Sequence, residues 1–155
     1  MGSSFKDNSR KWDAFTKSLP AMEKLEVVIG IQAGDTDKKT QDLLVTRAVA
    51  NELGTRNIPA RPFISTASDE NRPAWWKRFD MTTNQVWQGR ARPDDPFESA
   101  GQAATRDIQR KIDSIQNPPN SPRTIAMKGS SNPLINSGQM RQGIRHEVRR
   151  AGYAP

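Results

Sequence analysis

The sequence contains no cysteine and only one histidine, His146, among its 155 residues. Without cysteine there can be no disulfide, no thiolate nucleophile and no cysteine-ligated zinc or iron–sulfur centre. One histidine cannot form a histidine-rich metal site, and no carboxylate cluster lies near it in the sequence. We therefore expect His146 to be structural, and we expect no metal, no cofactor and no catalytic residue.

Long apolar runs and phosphate-binding glycine motifs are also missing. No stretch approaches the roughly 20 apolar residues of a membrane span, and the N-terminus lacks the apolar segment of a signal peptide. Neither Gly-x-Gly-x-x-Gly nor the Walker pattern occurs, since the run from Lys128 to Ser131 lacks an upstream glycine and a preceding strand. These absences argue against a membrane protein and against a nucleotide-binding enzyme.

Acidic residues occur in pairs that helix starts can explain. The pairs Asp69-Glu70 and Asp94-Asp95 both lie where a helix is predicted to begin. Carboxylates stabilise the N-terminal end of a helix, so acid–base or two-metal chemistry is not needed to account for them. Asp35, Asp37 and Asp42 do not have the glycine and glutamate spacing of a calcium loop.

The composition predicts one modest domain. Hydrophobic residues make up 34% of the chain, and the mean hydropathy is −0.83. A chain of this kind gains stability by burying surface against partners. We expect an N-terminal arm or short helix over residues 1–20, followed by a single α+β domain over residues 21–155.

The net charge is +7, and most of it lies in the last third of the chain. From Pro118 onwards, six arginines and lysines face one glutamate, which gives +5. This excess predicts either a nearby polyanion or acidic protein surface, or simply a solvated basic face. The residues expected to face DNA or an acidic surface are Arg141, Arg145, Arg149 and Arg150.

Two segments alternate in the manner of β-strands, and a third must be extended. Apolar and other residues alternate over residues 24–32 and over residues 144–148. In residues 58–64, Pro59 and Pro62 remove amide donors, so any strand there is short or at a sheet edge.

Helical periodicity accounts for most of the remaining chain. The spacing predicts five helical stretches: Arg10 to Ser18 with Ser9 as its cap, Thr40 to Leu53 ended by Gly54, Asp69 towards Gln88 with Ser68 as its cap, Pro96 to Gln116, and a short turn opening at Ser137. The fold class is therefore α+β, with a small mixed sheet packed against two to four helices.

The run from Trp75 to Phe79 interleaves aromatic and basic residues. Such a pattern is typical of single-strand nucleic-acid binders when it lies on a sheet. On a helix, Trp75, Trp76 and Phe79 share one side, and packing in a core or against a subunit is the simpler interpretation.

Residues 117–136 are rich in proline, glycine, asparagine and serine. Twenty irregular residues within a compact domain are typical of a functional segment. We expect this loop to be an arm that orders against a partner.

Four segments have a distinctive combined order and spacing: Ala50–Thr55 (ANELGT), Ile58–Ile64 (IPARPFI), Pro119–Ser130 (PNSPRTIAMKGS) and Pro133–Arg141 (PLINSGQMR). In this combination the chain resembles the neck and tail-completion proteins of tailed bacteriophages, often described as virion morphogenesis or minor tail components. The resemblance covers about residues 24–149 and leaves the N-terminal arm outside.

The resemblance implies a structural subunit of the virion neck that is made in the bacterial cytoplasm and does no covalent chemistry. Copies would form a ring, commonly sixfold, between the head connector or head-closure protein and the tail tube or tail terminator protein, with DNA passing through the lumen. The family leaves open whether the ring is a tail-completion, tail-terminator or head-closure ring. A basic nucleic-acid-binding module is the alternative of another class.

Two further groups of residues are expected to matter for assembly. A structural turn that also contacts another subunit would comprise Gly54, Pro59, Arg61, Pro62 and Phe63. The inter-subunit arm would use Pro119, Pro122, Arg123, Lys128, Pro133 and Leu134.

Overall fold

The computed structural model describes residues 3–32, 34–38 and 41–152, with side chains from Ser9 onwards. Within these residues the chain forms six helices and a sheet of two antiparallel strands, which confirms the α+β class. In chain order the elements are α1 (Ser3–Met22), β1 (Leu25–Ile31), α2 (Leu44–Leu53), α3 (Ile64–Trp87), α4 (Asp95–Ser114), α5 (Pro122–Lys128), α6 (Gln139–Gly143) and β2 (Ile144–Arg150).

The chain divides into two compact units, each assembled from separate segments. Unit 1 takes the described residues of Met1–Val28, Pro73–Ala103 and His146–Pro155. Unit 2 takes those of Ile29–Arg72 and Ala104–Arg145. The sequence predicts one domain over residues 21–155, whereas in the structure β1, β2, α3 and α4 each contribute residues to both units.

Unit 2 is organised around an apolar core. Helical spacing places Ile108 and Ile112 of α4 on one face, and both are buried, as the sequence predicts. Phe63, which precedes α3, is fully inaccessible to solvent. The buried cluster consists of Ala48, Phe63, Ala67, Ile108, Ile112, Leu134, Met140 and Ile144.

Unit 1 is organised around aromatic contacts and one close helix–strand approach. Phe15 of α1 lies edge-on to Trp87, with ring centroids 5.3 Å apart. A Cβ at Gly101 of α4 would lie 2.6 Å from the His146 ring, so only glycine fits at this position. The Nε2 atom of His146 also lies 2.9 Å from a carboxylate oxygen of Glu98. These contacts pack the His146 ring against α4, which carries both Gly101 and Glu98.

The predicted start of α3 at Asp69 is wrong, because the helix begins at Ile64. The N-terminal cap is the side chain of Glu52, a distant residue, rather than the local Ser68. The Asp69-Glu70 pair therefore lies beyond the first turn, where Glu70 forms an ion pair with Lys111.

Two other helices also differ in their bounds from the prediction. Helix α1 begins at Ser3, well before the predicted Arg10, and no glycine or proline occurs between these two residues to prevent it. Helix α2 begins at Leu44 and not near Thr40. Leu43 has extended backbone angles and forms an isolated β-bridge with Thr36, so the helix starts only after it.

The expected irregular arm over residues 117–136 contains a helix, α5. Ser121 caps it by accepting a hydrogen bond from the Thr124 amide, Pro122 occupies its first turn, and Gly129 ends it with φ 69°. These residues form a complete helix signal within a segment whose composition indicates a loop. Residues 58–64 form no strand, so the described sheet contains β1 and β2 alone and is antiparallel rather than mixed.

The aromatic run in α3 is only partly packed. Phe79 lies edge-on to Phe97, with centroids 5.0 Å apart, whereas Trp76 is 59% exposed. Packing therefore accounts for Phe79 but leaves the Trp76 ring largely in solvent.

Candidate functional site

Unit 2 contains a groove of about 690 Å³, here called the basic groove. Its walls come from α2, from the turn over residues 57–61, from residues 119–128 and from residues 133–140. Three of the four segments that carry the family resemblance contribute most of these walls, and Asn51 comes from the fourth. Three cationic side chains, Arg47, Arg61 and Lys128, line the groove.

Arg61 lies at the groove with only 4% of its surface exposed. Its Nε atom donates to the carbonyl oxygen of Pro118 at 2.7 Å, and Nη2 donates to the carbonyl oxygen of Pro119 and to Oδ1 of Asn120, both at 3.3 Å. Nη1 donates to Oδ1 of Asn51 at 3.4 Å. The guanidinium thus holds the segment before α5 against the end of α2.

The Lys128 amine makes a similar connection at the other end of α5. Its Nζ atom donates to the carbonyl oxygens of Asn132 and Pro133 at 3.2 and 3.1 Å. The Asn132 side chain in turn donates to the Asp113 carbonyl at 3.0 Å and accepts from the Leu134 amide at 2.9 Å. Residues 128–134 are therefore tied to the end of α4.

Arg47 differs from the other two cations because it has acidic partners. Its Nη1 atom lies 2.9 Å from Oδ2 of the buried Asp37, and its Nη2 atom lies 3.4 Å from Oδ2 of Asp42. Asp37 also accepts a hydrogen bond from the Ser137 hydroxyl at 3.3 Å. These carboxylates act as partners of arginine and serine side chains.

The electrostatic environment of the groove disfavours positive charge. Burial lowers the pKa of the Arg61 guanidinium from its ordinary value. Burial, together with the positive charges of Arg61 and Arg47, lowers the pKa of the Lys128 amine. Two partly desolvated cations therefore interact unfavourably in one groove.

The predicted turn after α2 requires glycine at its first position. Gly54 caps the helix with φ 77°, and a Cβ there would lie 2.9 Å from the Ala60 nitrogen. The Thr55 amide donates to the Ile58 carbonyl at 2.7 Å, and the Arg61 amide donates to the Asn51 carbonyl at 2.6 Å. These bonds fold the chain back on the end of α2.

Several residues expected to contact another subunit are buried in unit 2 instead. Arg61 and Phe63 are 4% and 0% exposed, so neither presents a surface to a neighbouring molecule. Leu134 belongs to the core, and Pro133 is also buried. Pro133 and Leu134 are inside because the neighbouring Asn132 side chain binds carbonyl oxygens at the end of α4. The exposed members of the two groups are Pro59, Pro62, Pro119, Pro122 and Arg123.

Three of the four C-terminal arginines bind acids of their own chain. Within unit 2, Arg141 lies 2.8 Å from Asp113 and Arg145 lies 2.9 Å from Asp35. Within unit 1, Arg149 lies 2.8 Å from Glu26, and Arg150 is exposed. Much of the basic charge counted in the sequence is thus offset locally.

Helix α2 has a second apolar side that faces solvent. Its core side consists of Leu44 and Ala48, which are 4% and 5% exposed. Val45, Val49 and Leu53 follow one another at four-residue steps and are 36%, 51% and 74% exposed. Residues four apart lie on the same face of a helix, so these three form one stripe, here called the α2 stripe.

Two organising residues were not identified as functional from the sequence. Glu52 accepts hydrogen bonds from the amides of Phe63, Ile64 and Ser65 at 2.8–2.9 Å, although it precedes them by more than ten residues. No local signal reveals this cap. Asn132 precedes a proline, a combination typical of turns, and that signal could have identified its role.

Within the described part of the chain, no group of three or more potential ligands could hold a metal ion. None of the described helices is long and apolar enough to cross a membrane. Comparisons of the chain with protein-family models, with curated proteins and with solved structures return no match.

Proposed function

We propose that the protein is a structural subunit of the head–tail junction of a tailed bacteriophage and assembles with copies of itself into a ring. The α2 stripe carries the self-assembly part of this proposal. The phage neck as its location rests on the resemblance of the four segments. Which ring of the neck it forms, whether tail completion, tail terminator or head closure, is left open.

The α2 stripe places three partly exposed apolar side chains on one face of a helix. Single exposed apolar residues are common on protein surfaces, whereas a contiguous patch is typical of an interaction site. Fully burying a valine or leucine side chain contributes roughly 1.5–3 kcal/mol, so covering the exposed parts of Val45, Val49 and Leu53 would favour association. A ring requires a heterologous interface, in which this stripe meets a different surface of the next copy.

The arrangement of the four family segments supports a structural role over a catalytic one. Arg61, Lys128 and Asn132 direct their polar groups to backbone atoms of these or adjoining segments. Such side chains fix the shape of a subunit. The lone histidine, His146, is packed against Gly101 and bonded to Glu98.

A nucleic-acid-binding module is the competing function, and the ion pairs weigh against it. Phosphate binding uses lysines and arginines that are available to neutralise phosphates, which releases counterions from the DNA. Arg141, Arg145 and Arg149 each bind a carboxylate of the same chain. Tight DNA binding that falls steeply with added salt would favour this alternative.

The self-assembly proposal is tested by placing a charge on the α2 stripe. We expect Val49→Glu to abolish the wild-type oligomer, because a carboxylate would be buried at the interface without a partner. Light scattering coupled to size-exclusion chromatography measures the mass. Met127→Glu is the matched control, since Met127 is 79% exposed on α5, outside the stripe. A wild-type protein that stays monomeric both alone and with the neck proteins would refute self-assembly.

The location is tested on particles. In a phage that encodes the protein, we expect deletion of its gene to yield heads and tails that do not join, as seen by electron microscopy. Intact tailed virions lacking the protein would refute the neck assignment.

A further inference from the structure

The basic groove contains two cations whose hydrogen-bond acceptors are all neutral. The four acceptors of Arg61 are two carbonyl oxygens and two asparagine side chains. The two acceptors of Lys128 are carbonyl oxygens. Neither residue forms an ion pair with a carboxylate among residues 3–32, 34–38 and 41–152. A desolvated charge without a counterion is unfavourable, and native proteins usually pair it.

Hydrogen-bond donors remain unused around these cations. The Nδ2 atom of Asn120 is buried and has no partner, although Oδ1 of the same side chain accepts from Arg61. The Lys128 amine has three N–H groups and makes two hydrogen bonds. A buried donor without an acceptor is rare in folded proteins. The groove therefore has both excess positive charge and unsatisfied donors.

We propose that the basic groove binds a carboxylate side chain carried on a segment of another polypeptide. The carboxylate would accept from Lys128 and Asn120 and would neutralise the charge that these residues share with Arg61. The wider groove would take the rest of the segment, because its lining mixes apolar side chains such as Ile58 and Met140 with polar ones such as Asn136.

The shape and depth of the site favour a peptide carboxylate over other anions. A volume of about 690 Å³ lies within the range of pockets for drug-sized ligands and exceeds what a free phosphate would fill. DNA is bound by exposed cations that reach the phosphates on its outer surface. Arg61 is 4% exposed and the Lys128 amine is directed to carbonyl oxygens of its own chain, so neither projects outwards as a duplex-binding cation does.

The groove and the α2 stripe lie on different sides of α2. Arg47 and Asn51 line the groove, whereas Val45 and Val49 belong to the stripe. An offset of two residues corresponds to about 200° around a helix. The carboxylate inference therefore does not depend on the stripe, and the two proposals can fail separately.

The test uses acetyl-Gly-Glu-Gly-amide as the probe and acetyl-Gly-Gln-Gly-amide as its neutral match. Nuclear magnetic resonance titration of the full chain follows the side-chain amide of Asn120. We expect the glutamate peptide to bind with a dissociation constant on the order of 1 mM and the glutamine peptide roughly tenfold more weakly, because a charge-assisted hydrogen bond is lost. The titration is repeated on Val49→Glu, so that a neighbour already filling the groove in a ring does not hide binding.

The matched variants are Lys128→Gln and Arg123→Gln, which each remove one positive charge from α5. Arg123 is exposed and does not line the groove. We expect Lys128→Gln to weaken glutamate-peptide binding roughly tenfold and Arg123→Gln to change it less than about twofold. Thermal unfolding of both variants establishes that they are folded.

The groove inference is overturned by equal binding of the two peptides, by no binding, or by an unchanged affinity in folded Lys128→Gln. It is also overturned if inorganic phosphate or a DNA duplex occupies the groove more tightly than the glutamate peptide. If the protein binds the glutamate peptide but never assembles, only the ring proposal is refuted. If the wild-type protein forms a ring but the Val49→Glu variant does not bind the glutamate peptide, only the carboxylate proposal is refuted.

Discussion

At the scale of single residues, Arg61 connects parts of the chain that are far apart in sequence. Its side chain bonds residues 118–120 and Asn51, so one guanidinium fixes the segment before α5 and the end of α2. The sequence places Arg61 in a turn between Pro59 and Pro62 but does not reveal these partners. A planar group with five donors suits several carbonyl oxygens at once.

We expect Arg61→Lys to lower the free energy of unfolding by about 2–4 kcal/mol, because an ammonium group cannot reproduce the planar set of guanidinium donors and leaves partly buried acceptors without a partner. Urea unfolding at neutral pH measures the change. Arg56→Lys is the control, since Arg56 is exposed in the same turn region, and its effect should stay below about 0.5 kcal/mol. Equal stability of the two variants would contradict the assigned role of Arg61.

At the scale of elements, the start of α3 shows how a distant side chain defines a helix boundary. The first amides of a helix lack intrahelical partners, and the Glu52 carboxylate supplies acceptors for three of them. Burial opposes ionisation of Glu52, but hydrogen bonds from the Ser65 hydroxyl and from the amides of Ile64, Ser65 and Phe63 outweigh it, so the pKa of Glu52 is lowered from 4.5.

We expect Glu52→Gln to reduce the free energy of unfolding by about 1–2 kcal/mol at pH 7, because the neutral amide offers one acceptor oxygen and no charge to the helix end. The folded-state pKa lies below the unfolded one, so this stabilisation is present above about pH 4.5 and is lost as pH falls through the folded pKa.

Urea unfolding at several pH values tests this pH dependence. The difference in unfolding free energy between the wild type and Glu52→Gln should become smaller in acid. Asp69→Asn, on an exposed part of the same helix, should differ from wild type by less than about 0.5 kcal/mol. A gap that stays constant down to pH 3 would show that the Glu52 charge is not responsible.

Elements defined by their own periodicity were predicted best. The alternation over residues 24–32 gave β1, and the apolar spacing from Ala104 to Ile112 gave α4 to within two residues at each end. By contrast, the composition of residues 117–136 obscured α5, although Ser121, Pro122 and Gly129 are local helix signals.

At the scale of the whole molecule, stability and assembly should be linked. The core of unit 2 is formed largely by alanine and aliphatic side chains. No other described segment of unit 2 fully covers the α2 stripe, whose side chains are exposed to solvent. An interface that forms only in the native state stabilises it by mass action.

We expect the thermal midpoint of the wild-type protein to rise by about 2–5 °C for each tenfold increase in protein concentration. The midpoint of Val49→Glu should not change with concentration, because that variant has no interface to lose. Scanning calorimetry over a hundredfold range of concentration distinguishes the two. A wild-type midpoint that is independent of concentration would argue against coupled assembly.

The sequence by itself determined the α+β class, β1, β2 and α4, and the glycine requirement at Gly54, because these depend on periodicity and local backbone geometry. The proposed location in a phage neck also rests on the sequence alone. Only the tertiary structure decided that Glu52 caps α3, that Arg61 and Lys128 lie in one groove without counterions, and that the basic arginines bind their own acids. Those features depend on contacts between residues far apart in the chain, which no local pattern encodes.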